Sequence, residues 1–199
     1  MAAVFTVRQV QFLSSLLLCL FQVSCDTSFA DTGRQSSYNA AFLQLENRNG
    51  VIYREGQVFS GIVYQLDAAS GDTMQLAGYR NGREHGTWKR FYAQEQVEEV
   101  RYFDNGIKTG TLTRWWPSGR RQFQCCFRRG EYDGLLQEWN ERGQLIREMH
   151  YLDGHEEGPQ KMFYDNGKVR SNYIVRDGKR TGLLGTKNCV NVSERIPQP

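Results

Sequence analysis

The stretch Tyr102-Phe103-Asp104-Asn105-Gly106-Ile107-Lys108-Thr109-Gly110 decides the fold. An Asn-Gly pair set between runs of β-forming residues marks a two-residue hairpin turn, because both central positions of that turn require φ > 0. The pattern returns along the chain. Gly82, Gly106, Gly130, Gly154 and Gly178 are each 24 residues apart, and Gly86, Gly110, Gly134, Gly158 and Gly182 keep the same interval. A third series, Gly119, Gly143 and Gly167, follows it as well, with Glu95 in the equivalent earlier place. Self-similarity at a fixed period is the mark of a repeat architecture.

Between the turns lie segments such as Thr87 to Tyr92 and Val97 to Phe103, long enough for strands and too short for helices. One unit is therefore one β-hairpin. The fold predicted is all-β, an elongated antiparallel meander of about five 24-residue hairpin repeats in a single sheet. At the usual strand spacing such an array runs on the order of 50 Å. Aligned in the frame, Phe91, Trp115, Trp139 and Phe163 share one aromatic column, and Phe103, Phe127, Tyr151 and Val175 share another. Alternation along a strand puts Val97, Arg101 and Phe103 on one face, and likewise Leu145, Met149 and Tyr151. These columns are expected to be buried as a structural ladder that holds neighbouring repeats together.

Outside the frame the chain changes character. Residues 1–24 carry Arg8 as their single charge, followed by a short apolar core around Leu16-Leu17-Leu18-Cys19-Leu20-Phe21, which is the form of a signal peptide. Two cleavage sites compete. Val23-Ser24-Cys25 has the form of a lipobox that would make Cys25 a lipid-attachment residue, and Ser28-Phe29-Ala30 is a small-x-small site. Residues 25–44 read as a polar tether, 45–78 as an irregular first repeat or N-terminal cap, 79–185 as the repeats, and 186–199 as a C-terminal tail. Localisation follows as exported, in a bacterial periplasm or outer membrane, with a lipid anchor to the membrane.

The segments Tyr102 to Gly110 and Met162-Phe163-Tyr164-Asp165-Asn166-Gly167-Lys168 resemble MORN repeats, and are similar to the variant MORN units of bacterial proteins labelled YwqK-family antitoxins. The ending Gly178 to Cys189 resembles that of envelope members from Bacteroidetes-type bacteria. The resemblance implies a hairpin-repeat sheet used for binding or scaffolding.

The chemistry carried by single residues is sparse. Lys and Arg number 25 against 22 Asp and Glu, without a long basic run, so no nucleic-acid partner is expected. No catalytic motif, cofactor fingerprint or metal-ligand spacing appears, and the protein reads as non-enzymatic, with no cofactor. His85 and His155 fall in turns and are expected to be solvated. Cys125 and Cys126 are neighbours on a strand, so they point to opposite faces and share neither a metal nor an easy disulfide, and no disulfide framework is indicated. Cys189 is the one thiol placed to bind a soft metal or form a disulfide, with no second ligand near it. The function expected is protein–protein interaction or scaffolding with a protein partner at the envelope. The alternatives are a membrane- or glycan-surface module using Tyr92, Trp116 and Lys89, and an antitoxin or immunity protein.

Overall fold

Every Asn-Gly and Asp-Gly hairpin pair of the 24-residue series takes the left-handed backbone its turn requires. Asn105 and Gly106 have φ of 49° and 81°, and Asp153 and Gly154 have 46° and 80°. In the copy whose first residue is Arg129, that residue is forced to φ 53° as well. Glu95, standing where later copies have glycine, likewise adopts φ 56°. The computed structural model describes residues 35–185.

The strands are β1 (Ser37–Asn39), β2 (Glu46–Arg48), β3 (Val51–Arg54), β4 (Gln57–Val58), β5 (Gly61–Leu66), β6 (Thr73–Arg80), β7 (Arg83–Phe91), β8 (Val97–Asp104), β9 (Ile107–Trp115), β10 (Arg121–Arg128), β11 (Glu131–Tyr132), β12 (Gly134–Trp139), β13 (Leu145–Leu152), β14 (His155–Phe163), β15 (Val169–Arg176) and β16 (Lys179–Leu183). From β5 to β16 they pair antiparallel in chain order within one 13-stranded sheet, β11 pairing only with β10. The meander read from the period is the fold. One strand departs from it. β1 pairs parallel with β5, so Ser37–Asn39, placed in the tether by the sequence, belong to the sheet.

The glycine period has a structural cause. The N–H of Gly106 donates to the carbonyl of Glu84 at 2.7 Å, that of Gly130 to Lys108 at 3.0 Å, and that of Gly154 to Tyr132 at 2.9 Å. These three hairpin turns thus each bond to the hairpin before them. At the opposite ends of the strands, the Tyr92 hydroxyl donates to the Trp115 carbonyl at 3.0 Å, and the Trp116 indole N–H donates to the Trp139 carbonyl at 3.1 Å. Both ends of the repeat are therefore stapled to their neighbours, which is how a quasi-one-dimensional array holds together.

The first hairpin turn meets a cap. β2, β3 and β4 form a separate three-stranded sheet. Ile52 N–H donates to the Gly82 carbonyl at 2.8 Å, and Gly82 N–H donates to that of Phe59 at 2.7 Å. A Cβ on Gly82 would overlap Val51, so only glycine permits this docking. Beneath it, the buried Phe59 ring packs edge-on against Tyr38 at 5.4 Å and Tyr79 at 5.7 Å.

One face of the large sheet is the core face. Ala77 pairs with Trp88 and Trp88 with Arg101; further along, Leu112 pairs with Cys125, then Leu136 with Met149, Met149 with Gln160 and Gln160 with Tyr173. Leu112, Cys125, Leu136 and Met149 form one buried cluster, flanked by Phe123, Phe127, Tyr151 and Met162; Ala77, Trp88 and Phe103 form the other. The opposite face carries a polar row through Thr113, Gln124, Gln137, Glu148, Lys161 and Asn172, consistent with strict alternation on a one-sided sheet.

The expected ladder is realised unevenly. Phe103 is buried, and Phe127 and Tyr151 pack on the core through an interleaved Tyr132, with ring centroids 4.8 and 5.3 Å apart. Phe91, Trp115, Trp139 and Phe163 are only half-buried. Their strands end there in register shifts, as at Arg90/Phe91, Glu138/Trp139 and Met162/Phe163, so the column sits at the margin of the sheet.

Candidate interaction surface

The core face is also where the charges gather. Glu99 on β8 has a side-chain exposure of 0%. Its Oε1 lies 2.6 Å from Arg101 Nε, and its Oε2 lies 2.6 Å from Arg114 Nε and 3.4 Å from an Arg90 terminal nitrogen. Glu98 holds Arg90 Nε at 3.0 Å. Strand register explains the assembly, because Glu99 stands directly between Arg90 on β7 and Arg114 on β9. A buried carboxylate is tolerated only when paired in this way.

Aromatic rings form the floor. The Arg101 guanidinium lies 3.8 Å from the Trp88 ring centroid, Arg114 lies 5.7 Å from Phe123, Arg121 lies 5.3 Å from Trp139, and Lys108 lies 5.4 Å from Phe127. Such cation–ring contacts contribute about 0.5–1 kcal/mol when exposed, and more when desolvated. Here they also fix where long basic side chains point. Toward the C-terminal end the equivalents of Arg90, Arg101 and Glu99 become Met162, Tyr173 and Ser171, so this arginine cluster around a buried carboxylate belongs to the first half of the array.

The sequence candidates are scattered on this frame. His155 is exposed, as expected, but His85 is not: it is 8% exposed, with Nδ1 3.3 Å from Asp104 Oδ1. His85 lies opposite the register shift between Ala77 and Tyr79, beside Gly78, where a Cβ would overlap the His85 carbonyl. His150 Nδ1 lies 2.9 Å from the Pro159 carbonyl. Among the described residues no group of three His, Cys, Asp or Glu is placed to hold a metal. Cys125 is buried with a free thiol, which burial pushes up to about 12 in pKa. Cys126 is disulfide-bonded, though not to its neighbour, a half-cystine that the cysteine count did not indicate. Cys25 and Cys189 lie outside the described residues. Burial also raises the pKa of Tyr79, Tyr92, Tyr151 and Tyr173.

Of the surface trio, Tyr92 and Trp116 spend their polar atoms on the repeat-to-repeat bonds above. Lys89 lines a half-open cleft of about 280 Å³ with Ile62, Leu76 and Thr87. That volume is at the small end for a small-molecule pocket. Sequence reasoning missed Glu99, Trp88, Arg114 and Tyr132. The signal for Glu99 was present, since alternation places it on the same face as Arg101 and Phe103.

Among the described residues no helix is long and apolar enough to cross a membrane. No curated protein matches the sequence. A family model described as MORN repeat variant matches residues 84–106, 132–153 and 156–173. These spans cover β7 with β8, β11 through β13, and β14 with most of β15. The unmatched residues 107–131 keep the same glycine frame and the same turn-to-turn bond at Gly130. The chain is thus a repeat protein carrying MORN-variant repeats.

Proposed function

We propose that this protein is a non-enzymatic recognition module of the bacterial cell envelope, exported and anchored through a lipid on Cys25, that contacts a protein partner with the basic half of its core face. The observation that carries this reading is the row of cations laid over aromatic rings on successive strands. Among the described residues that row forms a continuous surface and holds no nucleophile beside a base of the kind a catalytic site needs. Recognition on such a sheet is spread over several repeats.

Crosslinking in intact envelope followed by affinity capture tests the reading. It should recover the same neighbouring protein repeatedly, and removing one whole 24-residue unit should weaken that recovery. Capture of nothing from the envelope, or residence of the protein in the cytoplasm, would defeat it and favour the antitoxin class.

A further inference from the structure

We propose that Arg90, Arg101 and Arg114 form a carboxylate-binding site for an extended acidic segment of a protein partner, with Glu99 as its positioning residue. The inference rests on reading the sheet as a protein-recognition surface and narrows that reading to one partner chemistry.

Three guanidinium groups share two carboxylates, leaving a net positive charge, and the carboxylate at the centre is beneath the surface. Glu99 is fully buried, whereas Arg90, Arg101 and Arg114 are 41%, 24% and 44% exposed. An incoming ligand therefore meets cations first. Arg101 and Arg114 reach Glu99 through Nε, and among the described residues neither has a hydrogen bond or ion pair from its terminal nitrogens. Those paired N–H groups are the edge that grips a carboxylate in the bidentate manner.

The donors are also held in place before any ligand arrives. Arg101 lies over Trp88 and Arg114 over Phe123, and Glu99 ties both side chains from below. Side chains ordered in advance lose little entropy on binding. Spacing favours a polypeptide. Arg90 and Arg114 sit two strands apart, roughly 10 Å at the usual strand separation. On an extended polyproline-II segment, with three residues per turn and about 3.1 Å of rise per residue, carboxylates three residues apart lie on one face at about the same separation. A membrane surface fits less well, because several of the large exposed apolar side chains, Ile107, Leu152 and Leu183 among them, stand beside turns or on the edge strand β16.

The test is fluorescence anisotropy with the full chain and a labelled oligoglutamate peptide, with oligoglutamine, inorganic phosphate and phosphatidylglycerol vesicles in parallel. Oligoglutamate should bind and be released by salt, while oligoglutamine should not bind. Arg114→Gln should weaken binding about tenfold or more, as expected for losing a charge-assisted pair. Arg114→Lys, which keeps the charge but not the fork, should also weaken it. Arg176→Gln, an exposed arginine beyond the cluster, should leave it unchanged. Glu99→Gln separates a built site from simple charge attraction, since it adds a positive charge but releases the arginines. Weaker binding in a variant with wild-type circular dichroism supports the site, and tighter binding overturns it. The site also falls if oligoglutamate fails to bind, if Arg176→Gln costs as much as Arg114→Gln, or if phosphate or vesicles bind through Arg114 in its place. Should the envelope partner be captured equally by wild type and Arg114→Gln, this site is wrong while the recognition reading stands.

Discussion

Trp88→Ala and Trp139→Ala remove the same side chain from a buried and a half-buried place on the sheet. Trp88 is 8% exposed, packs with Ala77 and Phe103, and carries the Arg101 guanidinium at 3.8 Å. Truncating a buried tryptophan costs about 3–5 kcal/mol, and losing the cation–ring contact adds about 0.5–2 kcal/mol. Trp139 is half-buried at the sheet margin, and the bond from Trp116 ends on its backbone carbonyl, which alanine keeps. Half of a large apolar side chain's burial is about 1–2 kcal/mol. For a chain of this size 1 kcal/mol moves Tm by about 2–4 °C, so Trp88→Ala should lower Tm by roughly 7–28 °C and Trp139→Ala by a few degrees. Urea melts followed by circular dichroism are the assay, with equal slopes required before the midpoints are compared. Repeat arrays can lose cooperativity, so an intrinsic-fluorescence melt should coincide. The reasoning is refuted if Trp139→Ala costs as much as Trp88→Ala, because burial would then not be the quantity that matters.

Other outcomes follow from single positions. Gly167 has φ 78° and open space around its Cβ direction, so Gly167→Ala should cost about 1–2 kcal/mol of backbone strain; Gly82→Ala meets Val51 and the Ile52 carbonyl as well and should cost measurably more in the same urea assay. The Cys125 thiol should resist iodoacetamide at mildly alkaline pH unless the protein is unfolded, and rapid labelling of the native protein would contradict its burial. Its alkaline linkage has a definite sign: unfolded thiols ionise from about pH 8.5 while the folded one is held up to about 12, so stability is intact below that window and falls as pH rises through it. Metabolic labelling with a fatty-acid analogue should mark the wild type and not Cys25→Ala, and an unmarked wild type cut after Ala30 would remove the lipid anchor from the proposal.

The 24-residue period, the hairpin turns and the meander were legible in the sequence because they depend on local requirements. A two-residue turn needs left-handed backbone at both central residues, and Asn, Asp and Gly supply it wherever they recur. Alternation also placed Arg101 with Phe103, and set Cys125 on the packed face of β10 with Cys126 pointing away. What the residues do on that face was decided by neighbours from other strands. Phe91, Trp115, Trp139 and Phe163 form a column as regular as that of Phe103, yet they lie beyond the register shifts and stay half-exposed. His85 sits in a turn-like stretch by composition, yet it is buried beside Gly78 and paired with Asp104 across the strands. β1 joins the sheet in parallel because Ser37–Asn39 meet the free edge of β5, a pairing no local pattern encodes. Glu99 looks in sequence like one more surface carboxylate among Val97-Glu98-Glu99-Val100. It becomes the centre of a charge cluster only when strand register sets Arg90 and Arg114 on either side. Local backbone chemistry fixes turns and spacing, but burial and electrostatics sum over residues brought together across strands, and those sums exist only once the sheet is formed.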